Sequence, residues 1–124
     1  KTNWGDIDYL LIDMPPGTGD AYLTVCQKII PDYVILVTTL SKLSIADLQR
    51  SERVFESLNT EILGIVLNNI HQSDELGSFD LESENLILDR VEFNEKFIDL
   101  VYPFDDLELD TVFIKTIKAI KEHE

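Results

Sequence analysis

Apolar residues in this chain gather into short, nearly unbroken runs separated by stretches with helical spacing. Tyr9–Ile12, Tyr33–Val37 and Ile62–Leu67 are runs of strand length. Such runs fit parallel strands buried on both faces, and they predict strands over Asp8–Asp13, Tyr33–Thr39 and Glu61–Asn68. Between the first two, Asp20 is positioned to N-cap a helix running to about Ile30, which Pro31 and Asp32 end. Ser44–Leu58 has the amphipathic helical pattern, with Ile45, Leu48, Phe55 and Leu58 on one side and Asp47, Arg50, Glu52 and Arg53 largely on others. Ser44 is its expected cap, with Asp47 completing an S-x-x-D box. Residues 70–84 read as an acidic loop. Beyond it the spacing predicts a strand over Asn85–Val91, a helical turn over Val91–Lys96 and a last strand over Phe97–Tyr102 that stops at Pro103. A closing helix over Leu109–Glu122 would turn Leu109, Val112, Phe113, Ile117 and Ile120 inward. Strands alternating with helices in this way define an α/β fold, a parallel sheet with flanking helices joined by right-handed crossovers.

Composition narrows the function classes. The 124 residues hold 24 acidic and 10 basic side chains, a net charge of −14. A surface this acidic repels nucleic acid phosphate. The charge is uneven: residues 71–99 carry nine acids against Arg90 and Lys96. A solvated insertion accounts for that segment, and a docking surface for a basic partner is the alternative. No run reaches the ~18 apolar residues of a membrane span. The single cysteine, Cys26, excludes an intrachain disulfide and fits a reducing compartment. It falls among Leu23, Val25 and Ile29 in the first helix, where a buried free thiol is expected.

The most informative stretch is DYLLIDMPPGTGD, residues 8–20. Asp13 stands where the first run ends, and ligands of open α/β sheets sit beyond the carboxyl ends of strands. A carboxylate there can hold a metal-bound water or orient a nucleophile; a plain turn or capping role is the alternative. Pro15 and Pro16 stiffen the chain, and Gly17 and Gly19 let the backbone approach a ligand. The arrangement is that of a Walker B aspartate running into a switch loop that senses a γ-phosphate.

With its continuations YVILVTT and LGIVLNN, the segment WGDIDYLLIDMPPGTGDAYLT resembles the C-terminal half of Mrp-type ATPases. These are iron–sulfur carriers of the MinD/ParA branch of P-loop NTPases. The resemblance covers residues 4–69 well and 102–124 loosely. It implies ATP as ligand and Asp13 as the catalytic residue, engaging Mg²⁺ through water or positioning the attacking water. It implies that Gly17 offers its N–H to the γ-phosphate, that Pro16 fixes its direction and that Thr18 belongs to the moving switch. Asp20 is either part of that switch or only a helix cap. The resemblance assigns Asn68 to reading the adenine edge, and it places Pro103 of the YPFDD segment near the base. It also implies a dimer, of like subunits or with a related ATPase, iron–sulfur assembly proteins as partners, and a cytoplasmic location, while the acidic charge and the lack of a long apolar run predict no nucleic acid and no membrane partner.

Two family features are missing from these residues. There is no G-x-x-x-x-G-K-[ST] phosphate loop, so residues 1–124 are expected to be the C-terminal portion of a single P-loop NTPase domain, with residues 70–100 a divergent acidic insertion. Alone they should bind ATP poorly. There is also no C-x-x-C after the third strand, so an iron–sulfur cluster is in doubt as a cofactor. The expected function is a slow ATP-hydrolysing switch in cluster assembly. A non-catalytic partner-binding module and a MinD/ParA-like positioning ATPase are the alternatives.

Overall fold

The computed structural model describes residues 3–14, 19–70, 83–94 and 112–123. Its elements run α1 (Asp20–Ile29), β1 (Tyr33–Thr38), α2 (Lys42–Ser57), β2 (Glu61–Ile70), β3 (Ile87–Glu92) and α3 (Ile114–Glu122). The three strands form one parallel sheet in the order β1-β2-β3. The α/β class and the parallel sheet with flanking helices are as the sequence predicts.

Central β2 carries the core. Ile65 and Leu67 are fully buried on one face, where they pack with Leu36 of β1, Cys26 of α1, and Leu48 and Phe55 of α2. Val66 points to the other face, joining Leu88 and Val91 of β3 beneath Val112, Phe113 and Ala119. Alternate residues of a strand serve opposite faces, so an unbroken apolar run needs a helix on each side. Here α1 and α2 supply one layer and α3 the other. Gly64 permits the close contact of β2 with β3. Its φ is 154°, and a Cβ there would lie 2.5 Å from the Leu86 carbonyl oxygen and 2.7 Å from Leu88 Cγ.

Polar groups fix the helices to this sheet. Asp89 Oδ2 accepts from the Thr116 amide at 2.7 Å and from Thr116 Oγ1 at 2.6 Å, so a strand carboxylate caps the first turn of α3. Glu52, only 8% exposed, accepts from Ser83 Oγ and, at 2.8 Å, from Asn85 Nδ2. That contact ties α2 to the segment leading into β3.

Several expectations are corrected. Residues 8–13 form no strand, and Leu11 is 81% exposed. An all-apolar parallel strand needs neighbours that cover both faces, and among the described residues none pairs with this segment. The cap of α1 is Gly19, with no side-chain hydrogen bond, and Asp20 is the first helical residue. The cap of α2 is Ser41, whose Oγ accepts from the Ser44 amide at 3.1 Å; Ser44 lies inside the helix. Val91 and Glu92 continue β3 rather than starting a helix. Glu52 faces inward because its partners come from a distant segment. In α3, Phe113 precedes the first helical residue, Ile117 is 39% exposed, and Thr116 is the buried side chain. The predicted strand over Phe97–Tyr102 and residues 109–111 of the closing helix lie outside the described residues.

Gly64→Ala is expected to destabilise the chain by on the order of 1–3 kcal/mol through overpacking, with backbone strain adding to it. Urea denaturation checks this, and an unchanged midpoint would contradict the close-approach account.

Candidate functional site

Parallel strands end at a common edge. Thr38 closes β1, Asn68–Ile70 close β2, and Glu92 closes β3, with Phe93 and Asn94 just beyond it. Both preceding helices present their N-termini there. The β1–α2 connection is only Thr39–Ser41, so α2 starts at this edge. The α1–β1 connection is only Ile30–Asp32, and Leu23 and Cys26 of α1 pack back over β1. Helix α1 therefore runs antiparallel to β1, with Gly19 toward the same edge. Helix N-termini carry partial positive charge and unpaired N–H groups, which suits phosphate. Met14, next to Asp13, packs against the cluster containing Leu36 and Leu40, and Asp13 is exposed. Pro16, Gly17 and Thr18, the rest of the expected switch, and Pro103 lie outside the described residues.

The geometry around Asn68 is more specific than the sequence implied. Leu67 pairs with Arg90 and Ile70 with Glu92, so three steps along β2 match two along β3. The extra residue falls at Asn68–Asn69 and makes a bulge. Bulges re-aim a side chain and stop regular pairing, and they gather beside active sites. The exposed Asn68 amide thus stands where the ladder is interrupted, on a strand flanked by the ends of β1 and β3. An amide donates and accepts at once, which suits a base edge that does both.

Of the hydroxyls at the head of α2, sequence reasoning marks Thr38 and Thr39 at the strand end, with ordinary strand residues as the alternative, and Ser44 as the cap; it misses Ser41. Thr39 Oγ1 donates to Ser44 Oγ at 2.9 Å, the Ser41 and Ser44 Oγ atoms lie 2.8 Å apart, and buried Thr38 donates to the Thr39 carbonyl at 3.2 Å. Ser41 and Ser44 three residues apart ahead of an apolar pattern would have marked this cap. Phe93 and Asn94 were missed as well. Only a strand reading of Val91–Glu92 brings them to the Asn68 edge.

The donor set can be tested against the implied groups. Mg²⁺ prefers hard oxygen, keeps several waters and needs one or two protein carboxylates beside phosphate; exposed Asp13 fits that demand. No group of three or more His, Cys, Asp or Glu residues suited to a metal occurs among the described residues. A common iron–sulfur cluster takes four ligands, mostly thiolates. Cys26 is 6% exposed in the α1 core contact, and it does not fit. Burial pushes its thiol above the ordinary value of 9.0.

An open parallel α/β edge with two helix N-termini and a bulged asparagine has the chemistry to suit a phosphate-bearing ligand. Sequence comparison makes this particular. The family model described as ParA, NUBPL iron-transfer P-loop NTPase, matches residues 1–77, and the chain belongs to that family. It is similar to an iron-sulfur cluster carrier protein of Synechocystis, 44% identical over 68 residues, which are 55% of this chain and 19% of that protein. The corresponding protein of Rickettsia prowazekii is 46% identical over 79 residues, 62% of this chain and 25% of the relative. A chloroplastic Fe-S cluster assembly factor of Arabidopsis thaliana is 44% identical over 70 residues, 56% of this chain and 13% of its own length. The matches thus span a quarter or less of these relatives. No helix among the described residues is long and apolar enough to cross a membrane.

Anaerobic reconstitution of the chain with iron and sulfide is expected to give no stable cluster, and Cys26→Ser to leave iron uptake unchanged. Because the folded thiol pKa is raised, the neutral thiol's contribution to stability is complete below the unfolded value and is lost as pH rises through the folded one. Alkylation by iodoacetamide should accordingly be much slower in the native chain than in urea. A charge-transfer band abolished by Cys26→Ser, or equal alkylation rates, would contradict the buried-thiol account.

Proposed function

We propose that this chain is the Walker B and base-reading part of an ATP-dependent switch that works in iron–sulfur cluster carriage or assembly. The observation that carries the reading is the Asn68 bulge at the carboxyl edge, flanked by the helix N-termini and preceded in the chain by Asp13. In the reaction Asp13 would orient the attacking water through its carboxylate. Gly17, held in direction by Pro16, would donate its amide to the γ-phosphate, and Thr18 would move with the switch. Asn68 would pair with the adenine edge, assisted by the chain near Pro103. Bound Mg²⁺ supplies charge neutralisation on the phosphates. Hydrolysis would be slow and would time partner exchange.

Residues 1–124 contain neither a phosphate-binding glycine loop nor a C-x-x-C. The switch would work as a homodimer or as a heterodimer with a related ATPase, with iron–sulfur assembly proteins as partners. A reducing compartment such as the cytoplasm suits a chain with one free thiol. The absence of a C-x-x-C after β2 favours a second reading, in which the chain belongs to a non-catalytic regulatory module of the same fold.

Two substitutions test this in a polypeptide that holds both this chain and a phosphate loop. Asp13→Ala is expected to remove most ATP turnover while affecting nucleotide affinity much less, because the loop holds the phosphates. Wild-type turnover would refute the role of Asp13. Asn68→Ala is expected to weaken ATP binding, by on the order of 1–3 kcal/mol where the bound base is enclosed and its edge is left unpaired. It should also relax discrimination against GTP. Competition titrations with both nucleotides decide, and an unchanged preference would move base recognition elsewhere.

A further inference from the structure

The pairing of β2 with β3 departs from a regular ladder twice, and the two departures cancel. Ile65 pairs with Ile87 and Val66 with Asp89, so one step along β2 matches two along β3. Leu67 then pairs with Arg90 and Ile70 with Glu92, so three steps match two. From Ile65 to Ile70 and from Ile87 to Glu92 the count is equal again. The bulge at Asn68–Asn69 thus returns an offset taken up at the head of β3.

That head is held from the α2 layer. The Glu52 carboxylate accepts from Ser83 Oγ and, at 2.8 Å, from Asn85 Nδ2, and Ser83 Oγ accepts from the Asn85 amide at 3.1 Å. One residue further on, the Leu86 carbonyl accepts from the Ile65 amide at 2.8 Å, in the space that Gly64 leaves open. Glu52 is buried, and it shares α2 with Leu48 and Phe55, which pack with Ile65 and Leu67 of β2. The anchor is therefore fixed relative to the central strand. Nothing in the side-chain pattern of β3 replaces it. Alternation pins a strand's register where one face is buried, but Ile87, Leu88 and Val91 do not alternate. The Asp89 bonds to Thr116 join β3 to α3 and not to β2.

We propose that Glu52 is a positioning residue for base recognition: by anchoring Ser83 and Asn85 it sets the register of β3, and so puts the bulge at Asn68–Asn69. The proposal rests on the reading of Asn68 as the base-binding amide, and it gives Glu52 no contact with the nucleotide. Without the anchor β3 pairs with β2 in an unbroken ladder, the offset at Val66 is not taken up, and Asn68 loses the interruption that re-aims it. Both partners of Glu52 donate, so the site requires an acceptor oxygen. Glutamine keeps that oxygen and alanine removes it.

The test uses a polypeptide that holds both this chain and a phosphate loop. Its variants are Glu52→Ala, Glu52→Gln, Ser83→Ala with Asn85→Ala, and Asn68→Ala. Competition titrations give the preference for ATP over GTP. Backbone NOEs report the pairing of Leu67 with Arg90 and of Ile70 with Glu92. Glu52→Ala is expected to lower the preference about fivefold or more, as Asn68→Ala does, and to alter the NOEs, whereas Glu52→Gln keeps both. The Ser83 and Asn85 pair removes the anchor from the other side without touching α2, should match Glu52→Ala, and decides the matter if Glu52→Ala does not fold. Equal weakening of ATP and GTP in the anchor variants would mean a structural role only and would overturn the proposal. So would unchanged NOEs, or a preference retained in the anchor variants and lost in Asn68→Ala. An unchanged preference in Asn68→Ala would instead refute the base reading itself, and altered NOEs beside it would leave Glu52 a register anchor with no part in recognition.

Discussion

A parallel strand with no polar face has nothing to offer water, and β2 is that strand. Ile65 and Leu67 are sealed on one side and Val66 on the other, so β2 is stable only with a helix layer on each face and a strand on each edge. Glu61 pairs with Tyr33 at one end of the β1 ladder, and Leu67 pairs with Thr38 at the other. Gly64 lets β3 approach closely enough to complete the second edge. The site depends on this packing. Once three strands run the same way around β2, their carboxyl ends and the N-termini of the helices on either side of β1 share one edge. The Asn68 bulge can sit only where the ladder with β3 ends.

Much of this was readable in the residues because it depends on local pattern. The runs at Tyr33–Val37 and Ile62–Leu67 are strands, α2 follows its apolar spacing, and Cys26 is buried as its neighbours imply. What the sequence hid depends on distant partners. Glu52 looks like an outward charge until Ser83 and Asn85, more than thirty residues away, arrive to bond it. Tyr9–Ile12 has the composition of a central strand, yet composition cannot supply the neighbours such a strand needs. The bulge at Asn68–Asn69 arises from a mismatch in pairing with β3, which neither strand encodes alone. The cap of α2 was misplaced by three residues because Ser41 and Ser44 both have capping chemistry, and only the backbone at Ser41 is extended.

The two halves of the chemistry stand apart. At the carboxyl edge the N-termini of α1 and α2 and the bulged Asn68 stand together, an arrangement suited to a phosphate-bearing ligand. Cluster ligation has no such place in these residues, because the only thiol is inside the α1 contact. The match to the family model ends at residue 77, ahead of β3 and α3. The Glu52 anchor therefore joins α2, inside that match, to a segment beyond it.

The central claim is that the carboxyl edge around Asn68 holds the nucleotide base. Photolabelling with 8-azido-ATP tests it most directly, in a polypeptide that joins this chain to a phosphate loop, with the adduct mapped by mass spectrometry. The account predicts a label on residues 68–70 or 92–94 that excess ATP suppresses. A label at the opposite edge, around Tyr33, Glu61 and His123, would contradict it.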